Sequence, residues 1–119
     1  MLIPREGTLL RIFLGEKDRH GSEALYDWIV RTAKERGLGG ATVLRGIEGF
    51  GANSHLHTAT ILRLSTDLPI VVEIVDAADK IEALVEEIDD AIGGGMITME
   101  KVQVRVYQAE RRKTPRDEE

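Results

Sequence analysis

The stretch GATVLRGIEGFGANSHLHTATILRLSTDLPIVVEIV, residues 40–75, decides how the rest of the chain is read. Its ends suit strands: Ala41 to Leu44 open it, and Ile70, Val71, Val72, Ile74 and Val75 close it. The first run reads as a strand over 41–47. The second, over 70–75, is almost wholly apolar, as a strand buried in the middle of a sheet must be. Pro69 suits its first position, where the missing N–H costs least. Between the two lies a polar segment punctuated by Gly46, Gly49 and Gly51, residues that permit positive φ or the close approach of a backbone or ligand. Long connections of this kind in a compact domain tend to be either functional or disordered. Within it, TATILRL (58–64) reads equally as a strand, a hairpin arm or part of a loop.

Working outward, TLLRIFLG (8–15) alternates, with Leu10, Ile12 and Leu14 on one face and Leu9, Arg11 and Phe13 on the other. A polar turn over 16–21 follows. Ser22 is then placed to cap a helix whose apolar positions Leu25, Trp28, Ile29 and Ala33 recur at helical spacing. Arg31, Lys34 and Arg36 suit its C-terminal dipole, and Gly37 suits the first position beyond it. On the far side, Asp76 is placed to cap a second helix with a buried stripe of Ile81, Leu84, Val85, Ile88 and Ile92. Glu82, Glu86, Glu87 and Asp90 face water. Gly93, Gly94 and Gly95 stop that helix, and a last strand is expected from about Lys101 to Tyr107, where Val102, Val104 and Val106 alternate with polar residues. The remainder, 108–119, is a charged tail expected to fray.

The order is strand, helix, strand, twice, across one expected domain over 1–107. Two right-handed βαβ halves interleave as an α+β, ferredoxin-like fold: a four-stranded antiparallel sheet with both helices on one face. The other face, carrying Leu9, Phe13, Val71 and Val75, has no cover within the chain. Self-association is the expected outcome.

Composition excludes several classes of function. With no cysteine in 119 residues, disulfides, thiolate nucleophiles and zinc–sulfur sites are ruled out. A net charge of -5 and a pI near 5.3 argue against nucleic acid as the main partner. No apolar run reaches the roughly 20 residues of a membrane span, and the N-terminus lacks the profile of a signal peptide, so a cytoplasmic protein without membrane insertion is expected. His55 and His57, with His20, form too sparse a set of nitrogens to predict a metal site. No nucleophile stands beside a base, so catalysis is not expected.

The stretches 9–30, 37–76 and 97–104 resemble the PII-like proteins, and most closely the bacterial and archaeal family catalogued as domain of unknown function 190. A weaker likeness to the PII signal-transduction proteins lies in Gly40 to Val43, Gly49-Phe50-Gly51 and Ile70 to Val75. The resemblance implies a homotrimer with an adenine nucleotide in the cleft between subunits, and a loop that reports the nucleotide to a partner protein such as a membrane transporter or channel. By position, Gly49, Phe50 and Gly51 match the base of that loop and Ala52 to Leu68 the loop itself, which is expected to be mobile at its tip. Gly94 to Lys101 match a phosphate-binding turn that Lys101 would close. This chain departs from the pattern there. Thr98, Met99 and Glu100 stand where PII proteins have glycines, the glycines lie at 93, 94 and 95, and the loop has no tyrosine to modify. Glu100 would repel a terminal phosphate, so AMP or ADP is expected over ATP.

The candidate ligand-binding residues are therefore Arg45, Gly46, Gly49, Phe50, Gly51, Asn53, Arg63, Gly94, Gly95 and Lys101. Arg45 and Arg63 are placed to flank the cleft and make bidentate contacts with an anion, or to serve only as surface ion-pair partners. The expected function is a nucleotide-binding regulatory protein that needs no cofactor. An enzyme acting on a small anion in the same cleft is the alternative, and a ligand-free scaffold the third reading.

Overall fold

The computed structural model describes residues 5–51 and 67–107. The expectations for Asn53, His55, His57 and Arg63, for the 58–64 segment, and for the tail over 108–119 fall outside those residues.

Strand β1 (Glu6–Gly15) is followed by a small hairpin of β2 (Arg19–His20) and β3 (Glu23–Ala24), then by helix α1 (Leu25–Glu35) and strand β4 (Thr42–Arg45). After the undescribed segment come β5 (Pro69–Asp76), helix α2 (Ala78–Ile88), one 3-10 turn (Asp89–Ala91) and β6 (Met96–Gln103). The main sheet has the order β4-β5-β1-β6, every neighbouring pair antiparallel. This is the ferredoxin-like arrangement that two interleaved βαβ units produce. Pro69 opens β5, as its lack of an N–H requires.

The period of two in β1 and β5 divides their side chains cleanly. Leu10, Ile12 and Leu14, with Ile70, Val72 and Ile74, are buried in one cluster with Leu25, Ile29 and Ala33 of α1 and Ile81, Leu84 and Ile88 of α2. Both helices thus share one face of the sheet. Helix α1 ends as expected: Gly37 takes φ 77, its N–H reaches the carbonyl of Lys34, and the N–H of Leu38 reaches that of Ala33. These bonds form a Schellman motif, and buried Leu38 supplies its hydrophobic contact.

Several boundaries differ from the sequence reading: the strand expected over 41–47 covers only Thr42–Arg45, and α2 ends at Ile88, with a 3-10 turn rather than the helix leading to the glycines at 93–95. Ser22 does not cap α1. It lies with Gly21 (φ 62) in the turn of the β2–β3 hairpin, and the helix begins beyond Ala24 with no side-chain cap. Asp76 is the last residue of β5 rather than the cap of α2; Ala77 holds that position. The Asp76 carboxylate is fully buried and accepts hydrogen bonds from the N–H groups of Gly39 (2.9 Å) and Ala77 (2.7 Å), which ties the start of the second half to the end of the first. The last strand begins at Met96, not at about Lys101, and its ladder with β1 ends at Gln103.

Candidate functional site

Register decides which residues of the open sheet face lie side by side. Across it, Leu44, Val71, Phe13 and Met96 form one row; Thr42, Glu73, Arg11 and Thr98 form the next; Val75, Leu9 and Glu100 form a third. Leu44 (47%) and Met96 (53%) are left largely uncovered. At the centre, the Arg11 guanidinium reaches Glu73 through Nε and Glu100 through Nη1, both at 2.9 Å. The hydrogen bond that Arg11 donates to Glu73 in particular holds the Arg11 pKa above its ordinary value. The apolar face is thus stitched by one cation between two carboxylates.

Apart from Lys101, the predicted ligand residues that are described gather at one end of the sheet, but on opposite edges. The end of β4, the starts of β5 and β6, and the end of β1 all lie there. On the β4 edge, Gly46 donates its N–H to the carbonyl of Pro69 at 2.7 Å. A Cβ at Gly46 would come 2.6 Å from Cγ of Pro69, and one at Gly49 would come 3.1 Å from the same atom. None of Gly46, Gly49 and Gly51 has positive φ; the first two are glycine because Pro69 approaches them closely. Gly51 has open space around it among the described residues. Ile47 (96%) and Phe50 (73%) are exposed on this corner. Arg45 is exposed and paired with Glu16 at 2.8 Å.

On the β6 edge, Gly94 lies in the turn before the strand, and a Cβ at Gly95 would fall 2.2 Å from the carbonyl oxygen of Phe13. Gly95 is therefore glycine for the sake of the β1–β6 ladder. The two glycine corners are three strand spacings apart, about 14 Å. Lys101 belongs to neither. It pairs in register with Thr8, six residues beyond Gly95 and about 20 Å along the strand. The expected phosphate turn over Gly94 to Lys101 is thus corrected: from Met96 onward it is strand, and Lys101 does not close it. Glu100 sits on the open face against Arg11, so it does not stand in that turn to repel a phosphate.

Among the described residues no group of three or more His, Cys, Asp or Glu is arranged to hold a metal. His20 stacks on Trp28 with ring centroids 3.8 Å apart, an arrangement that fastens the hairpin to α1.

A concavity that the sequence did not reveal lies at the other end of the open face. This cleft of about 680 Å³ has Leu9, Glu73 and Val75 as its floor, Gly39 to Thr42 along one side and Val102 to Tyr107 along the other. Its signal in the sequence was the alternation of Val102, Val104 and Val106, which continues past the end of the ladder.

The family DUF190, described as Uncharacterized ACR, COG1993, matches residues 7–104. A UPF0166 protein of Aquifex aeolicus (strain VF5) is 42% identical over 96 residues, covering 81% of this chain and 90% of that protein. A UPF0166 protein of Methanocaldococcus jannaschii is 33% identical over 106 residues, covering 88% and 95%. Among solved structures, CPII from Thiomonas intermedia K12, a nitrogen regulatory PII-like protein bound to ADP, AMP and bicarbonate, superposes with a TM-score of 0.61 over 83% of this chain and 94% of that one. At 14% identity that likeness is one of fold. With the match spanning both βαβ halves and the sheet order agreeing with it, the chain belongs to the DUF190 family and has a PII-like, ferredoxin-like fold.

Proposed function

We propose that this protein is a PII-like regulator that binds an adenine nucleotide, AMP or ADP, between the subunits of a homotrimer and controls a partner protein through residues 52–68. The observation that carries the reading is the separation of the two glycine corners. Gly46 to Gly51 and Gly93 to Gly95 lie at the same end of the sheet on opposite edges, so no single chain joins them. Copies set edge to edge would bring one corner against the other and wall a cleft. Gly46, Gly49, Phe50 and Gly51 would then come from one subunit and Gly94 and Gly95 from its neighbour, with Asn53 and Arg63 contributing from the segment between β4 and β5. Exposed Ile47 and Phe50 offer the apolar surface that a base or a neighbouring subunit would cover. The choice of ligand is supported by the ADP and AMP bound to CPII. The partner is proposed to be a membrane transporter or channel, reached from the cytoplasm, and the bound nucleotide is not turned over.

Calorimetry tests this reading. AMP and ADP should each give a saturable heat with the wild-type protein. Gly51→Val, at a position with open space around it among the described residues, should abolish that heat and leave the melting temperature unchanged. No heat from AMP, ADP or ATP would refute the reading, and steady conversion of the nucleotide would turn it toward an enzyme.

A further inference from the structure

Beyond the ladder of β6, the chain does not leave the sheet. The N–H of Val104 donates to the carbonyl of Arg5 at 2.5 Å, and a Cβ on Gly7 would come 3.3 Å from a Val104 methyl and 3.4 Å from one of Val75. Val104 therefore occupies, over the open face, the room that Gly7 leaves by having no side chain. Three residues later the Tyr107 hydroxyl donates to the carbonyl of Gly39 at 2.6 Å, beside the opposite edge strand. From the β6 edge to the β4 edge is about 14 Å, and the four residues from Gln103 to Tyr107 span about 13 Å when extended. The backbone covers most of that width, and the Tyr107 side chain reaches the rest.

Its anchor is fixed from the other side. The N–H of Gly39 is held by the buried carboxylate of Asp76, so the Tyr107 hydroxyl closes onto the peptide next to one that is already anchored. Val106 (70%) and Tyr107 (41%) remain largely exposed, so the strap rests on few contacts. That is the pattern of a segment drawn from the low-stability end of a fold.

We infer that residues Val104 to Tyr107 form a strap latched by Tyr107 across one end of the open face, and that it lifts when a second copy of this chain seats there. The inference rests on the self-association proposed above. The latch competes with assembly: while closed, it walls the cleft that Leu9 and Val75 floor, and so narrows the access of a neighbouring subunit to them.

Tryptic cleavage after Arg105, read as loss of residues 106–119 by mass, reports strap opening in dilute protein. Tyr107→Phe should accelerate it roughly three- to tenfold, the change expected for one hydrogen bond, and Val104→Ser should do likewise without touching the hydroxyl. In sedimentation, Tyr107→Phe should also tighten self-association by a similar factor. Unchanged cleavage in both variants would overturn the latch. Faster cleavage with weaker association would make the strap part of the interface and overturn its displacement. If wild type and variant both stay monomeric at every concentration, the assembly itself is refuted and with it the role of a second copy, while cleavage still decides the latch.

Discussion

At the scale of single residues, this fold assigns its glycines to different tasks, and substitution separates them. Gly95 is hemmed in by the Phe13 carbonyl, so Gly95→Ala forces β1 and β6 apart. We expect a loss of about 1–3 kcal/mol, the usual cost of overpacking, measured by urea denaturation. Gly51→Ala meets nothing within 4 Å among the described residues and should shift stability by less than about 0.5 kcal/mol. A large loss there would mean that Gly51 serves packing rather than a ligand. Asp76 gives a second contrast. Asp76→Ala leaves the N–H groups of Gly39 and Ala77 without their carboxylate and should cost about 2–4 kcal/mol. Asp76→Asn retains one acceptor oxygen and should recover part of that loss. Equal effects from the two would show that hydrogen bonding is not what Asp76 contributes.

At the scale of elements, the buried strands were legible because burial on one face imposes a strict alternation. Leu10, Ile12 and Leu14 announce β1, and Pro69 followed by an apolar run announces β5. The edge elements were not legible in the same way. Residues MITME (96–100) form the first half of β6, yet only Ile97 among them is half-buried, so no apolar period marks them. Val102, Val104 and Val106 do alternate, but the alternation belongs to an extended chain lying over Gly7 rather than to a ladder alone. Period two detects extension and says nothing of pairing. Ser22 was misread because a capping serine and a turn serine look alike in sequence, and the neighbouring Gly21 at φ 62 settles it as a turn. The same distinction separates the two candidate corners. The glycine clusters were visible as compositions, whereas their placement on opposite edges follows from strand order, which spacing alone does not encode.

The hairpin supplies a prediction at this scale. Its two short strands are fastened to α1 by the His20–Trp28 stack and by the N–H of Leu25 bound to the carbonyl of Asp18 at 2.8 Å. Replacing His20 with alanine removes an aromatic contact of about 0.5–1.5 kcal/mol. The amides of 19–24 should exchange faster while those of β1 and β5 are unchanged. Uniform acceleration across the sheet would mean that the hairpin is integral to the core.

At the scale of the whole molecule, the chain buries one face of its sheet beneath two helices and leaves the other with an Arg11–Glu73–Glu100 cluster amid apolar rows. A cation between two carboxylates on an otherwise apolar surface is a device for register more than for affinity, because pairs this exposed contribute little by themselves. Arg11→Met should therefore leave the monomer folded, and its defect should appear in how copies assemble, as a mixed mass distribution by light scattering. A single species of the wild-type mass would show that the cluster does not direct assembly. The proposed function joins assembly to ligand, since in it the two glycine corners would meet only between subunits. Native mass spectrometry with added ADP reads both at once. The account predicts three copies of the chain carrying up to three nucleotides, with none on the monomer; a monomer that binds ADP alone, or a trimer that takes up no nucleotide, would contradict it.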